Sequence, residues 1–175
     1  MGKKNIKITI NLGEVCQDIV TDCNLISKQL GQDVDAEIKS DVKSPDGDET
    51  RSIVCRAVTE AIGQVKYAAQ RYLMVGRTED SNSLERLGTY DKETEKVTYE
   101  KQVFDFVIPN FNIAATDALK SSIHKYIVDY TMWRFLQNQV NDKAGEYKKL
   151  ADEEDLPDVV VKLNSRTNFH KPMFV

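Results

Sequence analysis

The chain has 175 residues, enough for one domain with a sizeable core, and its 24 Lys and Arg against 28 Asp and Glu leave a formal charge of −4. That mild balance excludes strong electrostatic steering and the clustered basic patch of a general nucleic-acid binder. No apolar run reaches the length of a membrane span, and the opening MGKKNIKITINLGEV lacks the continuous apolar core and small-residue cleavage site of a signal peptide, so a soluble protein made in the cytosol is expected.

In chain order, Ile6, Ile8 and Ile10 alternate with Lys7, Thr9 and Asn11, the pattern of a half-buried strand or an extended arm. Asn11 with Glu14 three residues on forms a capping-box variant, so a helix should begin there. Leu12, Val15, Cys16, Ile19, Cys23, Ile26 and Leu30 then make an apolar stripe, with Gly31 placed to end it. Residues 32–49 are polar and acidic with Pro45 and Gly47, the composition of a surface loop; Asp46 and Asp48 lack the ligand spacing and closing Glu of a calcium loop. A second long helix is predicted at about 49–75, where Ile53, Val54, Ala57, Val58, Ala61, Ile62, Val65, Ala68, Ala69, Tyr72 and Leu73 form a wide face. Its alanines and Gly63 permit close approach of another helix.

After Gly76 the pattern changes. The stretch TYDKETEKVTYEKQVFDFVIP reads as two strands joined around Asp91–Thr94. Within it Val103, Phe104, Phe106, Val107 and Ile108 put apolar groups on both faces, so the strand is either covered on both sides or meets another subunit. Pro109 stops it. A helix is predicted at 116–140, capped by Thr116, with Leu119, Ile123, Tyr126, Ile127, Tyr130, Trp133, Leu136 and Val140 on one face. This is the broadest packing surface in the chain, and the helix at 49–75 is expected to lie against it. The next helix carries Ala144, Tyr147, Leu150 and Ala151 on one side and dense charge on the other, with Glu146–Lys149 and Lys149–Glu153 as neighbour pairs. Pro157 can open a short final helix, although VVVKL also has strand character. The tail SRTNFHKPMFV sets Phe169, Met173 and Phe174 among Arg166, His170 and Lys171, a composition suited to docking on a neighbouring subunit.

The residues together predict a mainly α, α+β fold: a single domain over 1–175 built as a bundle of about four helices with a β-hairpin insertion and extended terminal arms. Its parts are a strand or arm at 1–11, helices in 12–75, the hairpin at 86–108, helices in 116–165 and the tail at 166–175.

Chemical machinery is not visible in the pattern. Cys16, Cys23 and Cys55 form no C-x-x-C pair and fall on apolar helical positions, which points to buried thiols in a reducing compartment rather than a disulfide or metal site. His124 and His170 have no ligand-spaced partners, the glycines make no phosphate-binding loop, and Glu14 with Asp18 and Glu153–Asp155 read as carboxylates on solvated helical faces. Tyr130 and Trp133 sit at core spacing. No catalytic residue, cofactor or metal is expected, and the protein is not expected to be an enzyme.

The order of these parts resembles the small head–tail connector, or neck adaptor, proteins of tailed phages, particularly those carried as prophages by Bacteroides-type bacteria. The resemblance rests on the opening Ile8-Thr9-Ile10-Asn11-Leu12 leading into a helix, and on a long helix before an apolar strand that ends in Pro109 with Phe111 just after. It continues with the Trp133-bearing helix, Tyr147 in a charged helix, and the closing Leu163, Arg166 and Pro172. It implies a virion structural protein in the neck, made in the bacterial host cytoplasm. Such a protein forms a ring homo-oligomer between the portal protein and the tail or a second neck protein, and DNA passes through its lumen without sequence-specific binding or any membrane contact. A mildly acidic lumen suits that passage. Phe104, Phe106, Phe111, Arg166, Phe169 and Phe174 are the expected interface residues, because large aromatics and Arg dominate interface energies; on this reading Ser at Phe104 and Phe106 abolishes assembly and spares the helices. The alternatives are a tail-completion or tail-terminator protein, and a small cytosolic regulatory or interaction protein.

Overall fold

A computed structural model describes residues 3–30, 36–43, 45, 50–74, 88–91 and 96–165. In order, these form β1 (Lys3–Asn11), α1 (Leu12–Gln29), α2 (Ala36–Lys43), α3 (Arg51–Ala68), β2 (Gly88–Asp91), β3 (Lys96–Tyr99), β4 (Lys101–Pro109), a 3-10 turn (Ile113–Ala115), α4 (Thr116–Leu136), α5 (Asn141–Lys149), a π-helical segment (Leu150–Asp155) and α6 (Leu156–Leu163). The fold is a helical bundle with a β-hairpin, as the sequence predicts. Among the described residues no helix is long and apolar enough to cross a membrane.

The central element is α4. It packs against α1, α3, α5, α6, the π-helical segment and β1, and α3 lies along it as expected. Every residue from Tyr126 to Met132 is buried, so about two turns of the helix have no solvent face. The periodic stripe accounts for Ile123, Tyr126, Ile127 and Tyr130, whereas Val128, Met132 and Phe135 are buried on other sides. Trp133 is only partly buried and meets Tyr130 edge to face, with ring centroids 5.1 Å apart. The helix ends at Leu136 rather than Val140, whose N–H donates to the Leu136 carbonyl (2.8 Å) in a closing turn. Thr116 is not the cap: its hydroxyl donates back to the Ile113 carbonyl (2.7 Å), and Asn112 caps the preceding 3-10 turn by accepting from the Ala114 N–H (3.1 Å).

Residues 3–11 are not an arm. β1 pairs antiparallel with β4 from Lys3 opposite Pro109 to Asn11 opposite Lys101. On the inner face, Ile6, Ile8 and Ile10 meet Gln102, Phe104, Phe106 and Ile108, all buried, with the two-residue alternation of a half-covered sheet. The other edge of β4 is also paired: Val107 N–H donates to the Tyr72 carbonyl (2.7 Å) and Met74 N–H to the Asp105 carbonyl (2.9 Å). The strand predicted to run into 108 is broken at Glu100. β3 pairs back on β2, while β4 turns to β1, and the Glu100 carbonyl accepts from the Leu12 N–H (3.0 Å).

Two of the local signals hold. Asn11 accepts from the Gly13 N–H (3.0 Å) and donates to Glu14 Oε1 (3.3 Å), which starts α1. Pro157 sits in the first turn of α6, so VVVKL is helical. Further expectations fail: α3 ends at Ala68 rather than near 75, and Tyr72 and Leu73 beyond it pair with β4. Gly63 faces solvent, with no atom within 4 Å of the point where a β-carbon would stand, so it mediates no close helix approach. The charged pair on α5 is Lys143–Glu146 (2.9 Å) rather than Glu146–Lys149. Gly31, Asp46, Gly47, Asp48 and Gly76 lie outside the described residues.

Candidate functional site

The six expected interface residues separate into two groups. Phe104, Phe106 and Phe111 are 0% exposed and fill the chain's own core, where the rings of Phe104 and Phe106 stack 5.9 Å apart. This corrects the interface expectation: Phe104, Phe106 and Ile108 are buried in the chain's own core, Val103 and Val107 on the other face are half-buried beside the strands paired at both edges, and no second subunit can touch the buried rings while the fold is intact. Arg166, Phe169 and Phe174 lie outside the described residues.

Exposed large apolar groups lie elsewhere: Leu25 on α1, Ile53 and Tyr67 on α3, and a set near the end of α6. Ile113 in the 3-10 turn and Val161 on α6 are 64% and 67% exposed, and Val160 beside it is also exposed. The Asn112 N–H meets the Ser165 carbonyl (3.4 Å), so the turn carrying Ile113 abuts the end of α6. In the π-helical segment that precedes α6 the exposed surface is acidic, with Asp152, Glu153 and Glu154. Periodicity does not mark these side chains, because Val160 and Val161 sit in an apolar triplet whose first member, Val159, is buried.

A polar seam runs along α4 where it meets the π-helical segment and α6. At one end, Ser122 Oγ donates to Asp158 Oδ2 (2.7 Å) and accepts from Lys162 Nζ (2.6 Å), while Lys162 also pairs with Asp158. The Lys162 ammonium, followed by the Ser122 hydroxyl, holds the Asp158 carboxyl below its usual range. One turn on, Lys125 Nζ lies 2.8 Å from Asp155 Oδ1 and 3.8 Å from Asp129 Oδ2. Its hydrogen bond to Asp155 raises the Lys125 pKa.

Asp129 and Asp155 are 6% and 4% exposed, and the Oδ2 atom of each is inaccessible without a hydrogen-bond partner. Two ionised carboxylates only accept, so they cannot satisfy each other; a proton on one makes it the donor to the other. Burial, then that hydrogen bond and the charge of Asp155, push the Asp129 carboxyl up to about 8, with Lys125 opposing. On the α1 side of α4, Tyr147 donates to Asp22 Oδ2 (3.2 Å), and burial raises the Asp22 carboxyl while this bond lowers it. Sequence reading took Asp155 for a solvated carboxylate and did not single out Asp129. The local signal for Asp129 is its place in the run YIVDYTMW, between Ile127 and Tyr130 of the predicted stripe.

The remaining candidates are ordinary. His124 Nε2 lies 2.7 Å from Asp18 Oδ2, on the wall of an open hollow of about 380 Å³ also lined by Glu14, Asp117, Lys120 and Ser121. Cys23 is buried against Met132 Sδ at 3.7 Å, and burial pushes its thiol up to about 12; Cys55 is also buried and Cys16 half-buried. Among the described residues no cluster of His, Cys, Asp and Glu could hold a metal ion. No protein family, curated protein or solved structure matches this chain.

Proposed function

We propose that the chain is a non-enzymatic virion structural protein, a head–tail connector whose copies pack side by side into a ring between the portal and the tail. The observation that carries this reading is the apolar patch of Ile113, Val160 and Val161 at Ser165, the residue from which the segment 166–175 continues. Burial of such a patch against a neighbour is favourable at about 25 cal/mol per Å² of apolar surface removed from water. Arg166, His170 and Lys171 of that segment complement the acidic Asp152, Glu153 and Glu154, while Phe169 and Phe174 supply aromatic anchors. Because α6 rests on α4 and α3, the closed fold presents Val160 and Val161 in one orientation, as a repeated side-by-side contact requires.

Peptide mass spectrometry on density-purified, DNA-filled particles tests the assignment. The chain should be present at a copy number near that of the portal protein. Its absence from particles overturns the connector reading and leaves the regulatory alternative.

A further inference from the structure

Lys125 is the one cation that the described residues direct at Asp129 and Asp155, and its side chain is 55% exposed. The other charges facing this pair do not help it. Asp22 of α1, held by Tyr147 of α5, adds a negative charge at Asp129, while Asp152 and Glu154 of the π-helical segment put theirs beside Tyr126 and Lys125. On α6, Lys162 is engaged by Asp158 and Ser122, and from α3 Glu60 takes up Arg134 (2.9 Å) on the side of Tyr130. Two buried carboxylates therefore share one half-exposed ammonium, and their two orphaned oxygens lie within the same contact between α4 and the π-helical segment.

We propose that Asp129 and Asp155 share one proton and form a latch that holds the Leu150–Leu163 segment on α4 and releases it when the proton leaves. With the proton present, one carboxyl donates to the other, and the single remaining negative charge is matched by Lys125. Without it, two like charges face each other in a poorly hydrated contact, and carrying Asp155 out to water relieves them. The π-helical winding at Leu150–Asp155 is the stretch suited to that movement, since its i→i+5 turns can rewind to α geometry. Because α6 follows directly, the latch also sets the position of Val160 and Val161. The inference stands apart from the connector assignment and holds for any role of that surface.

Hydrogen exchange of the full chain tests it, with rates corrected for the intrinsic pH dependence. Amides in 150–163 should open more readily by up to about tenfold per pH unit from about pH 5 toward 8 and then level off, while those of α3 change less. Asp129→Asn, which keeps a donor without a titrating proton, should flatten that dependence. An equal dependence in the variant, or none in the wild type, overturns the latch. The carboxyl carbons of the wild-type aspartates, followed by NMR, give a second reading that does not need the variant to fold. One should titrate well above the rest, and titration of all of them near about 4 overturns the proposal.

Discussion

Gly63 lies on the solvent side of α3 with open space where a β-carbon would go, so its only effect there is the backbone freedom it retains in the unfolded chain. Gly63→Ala should stabilise the protein by about 0.5–1 kcal/mol, read as a rise in Tm of about 1–4 °C; an unchanged or lower Tm would mean that this face of α3 is covered. Asp129 has the opposite character, a side chain that the core accepts only with its proton. Its folded pKa lies above that of an unfolded chain, so the native state binds the proton more tightly. Its contribution to stability is complete below the ordinary carboxylate range and is lost as the pH rises toward about 8. Urea unfolding should therefore show wild-type stability falling with pH by at most about 1.4 kcal/mol per unit, and Asp129→Asn should lose most of that slope. Equal slopes would show that other groups dominate.

At the scale of elements, β4 carries the fold more than its nine residues would indicate, because it is paired at both edges and packed on one face. Phe106 lies opposite Ile6, bridges to Leu73 and is wholly inaccessible. Phe106→Ala should cost about 3–5 kcal/mol, a large share of the roughly 5–15 kcal/mol that holds a domain together. Circular dichroism and urea unfolding would register this as a weakened fold, and replacing Phe104 and Phe106 with Ser should collapse helices along with any assembly. What was legible in the sequence at this scale is what bonds nearby. The Asn11–Glu14 cap, the start of α6 at Pro157 and the stripes of α1, α3 and α4 all depend on residues a few positions apart. The pairing of β1 with β4 was not legible, because alternation identifies a strand and one buried face without naming the partner. Nor was the burial of α4 on every side, since Asp129 and Thr131 occupy positions that periodicity assigns to water.

At the scale of the whole molecule, Ile113, Val160 and Val161 lie exposed where the 3-10 turn meets the end of α6, and on the proposed connector reading a neighbouring copy covers them, while Leu25, Ile53 and Tyr67 are exposed on other faces. Val160→Asp with Val161→Asp should leave the monomer's helical content unchanged, because both side chains point away from the core. The double change should abolish higher oligomers in native mass spectrometry, and deletion of 166–175 should do the same. Oligomers that survive both changes would place the contact on another surface. The same reasoning explains why the aromatic residues of β4 misled the sequence reading: Phe content marks burial, and only the fold decides whether the cover is the chain itself or its neighbour.

The antiparallel pairing of β1 with β4 also sets a schedule for synthesis. Lys3–Asn11 leaves the ribosome well before Lys101–Pro109 exists, and at about 5–20 residues per second the interval is on the order of ten seconds. During it, the apolar side of the first strand, with Ile6, Ile8 and Ile10, has no native partner, and α1 and α3 await α4. The nascent segment that precedes β4 is thus a natural client for chaperones, and the fold closes only once β4 and α4 have been made.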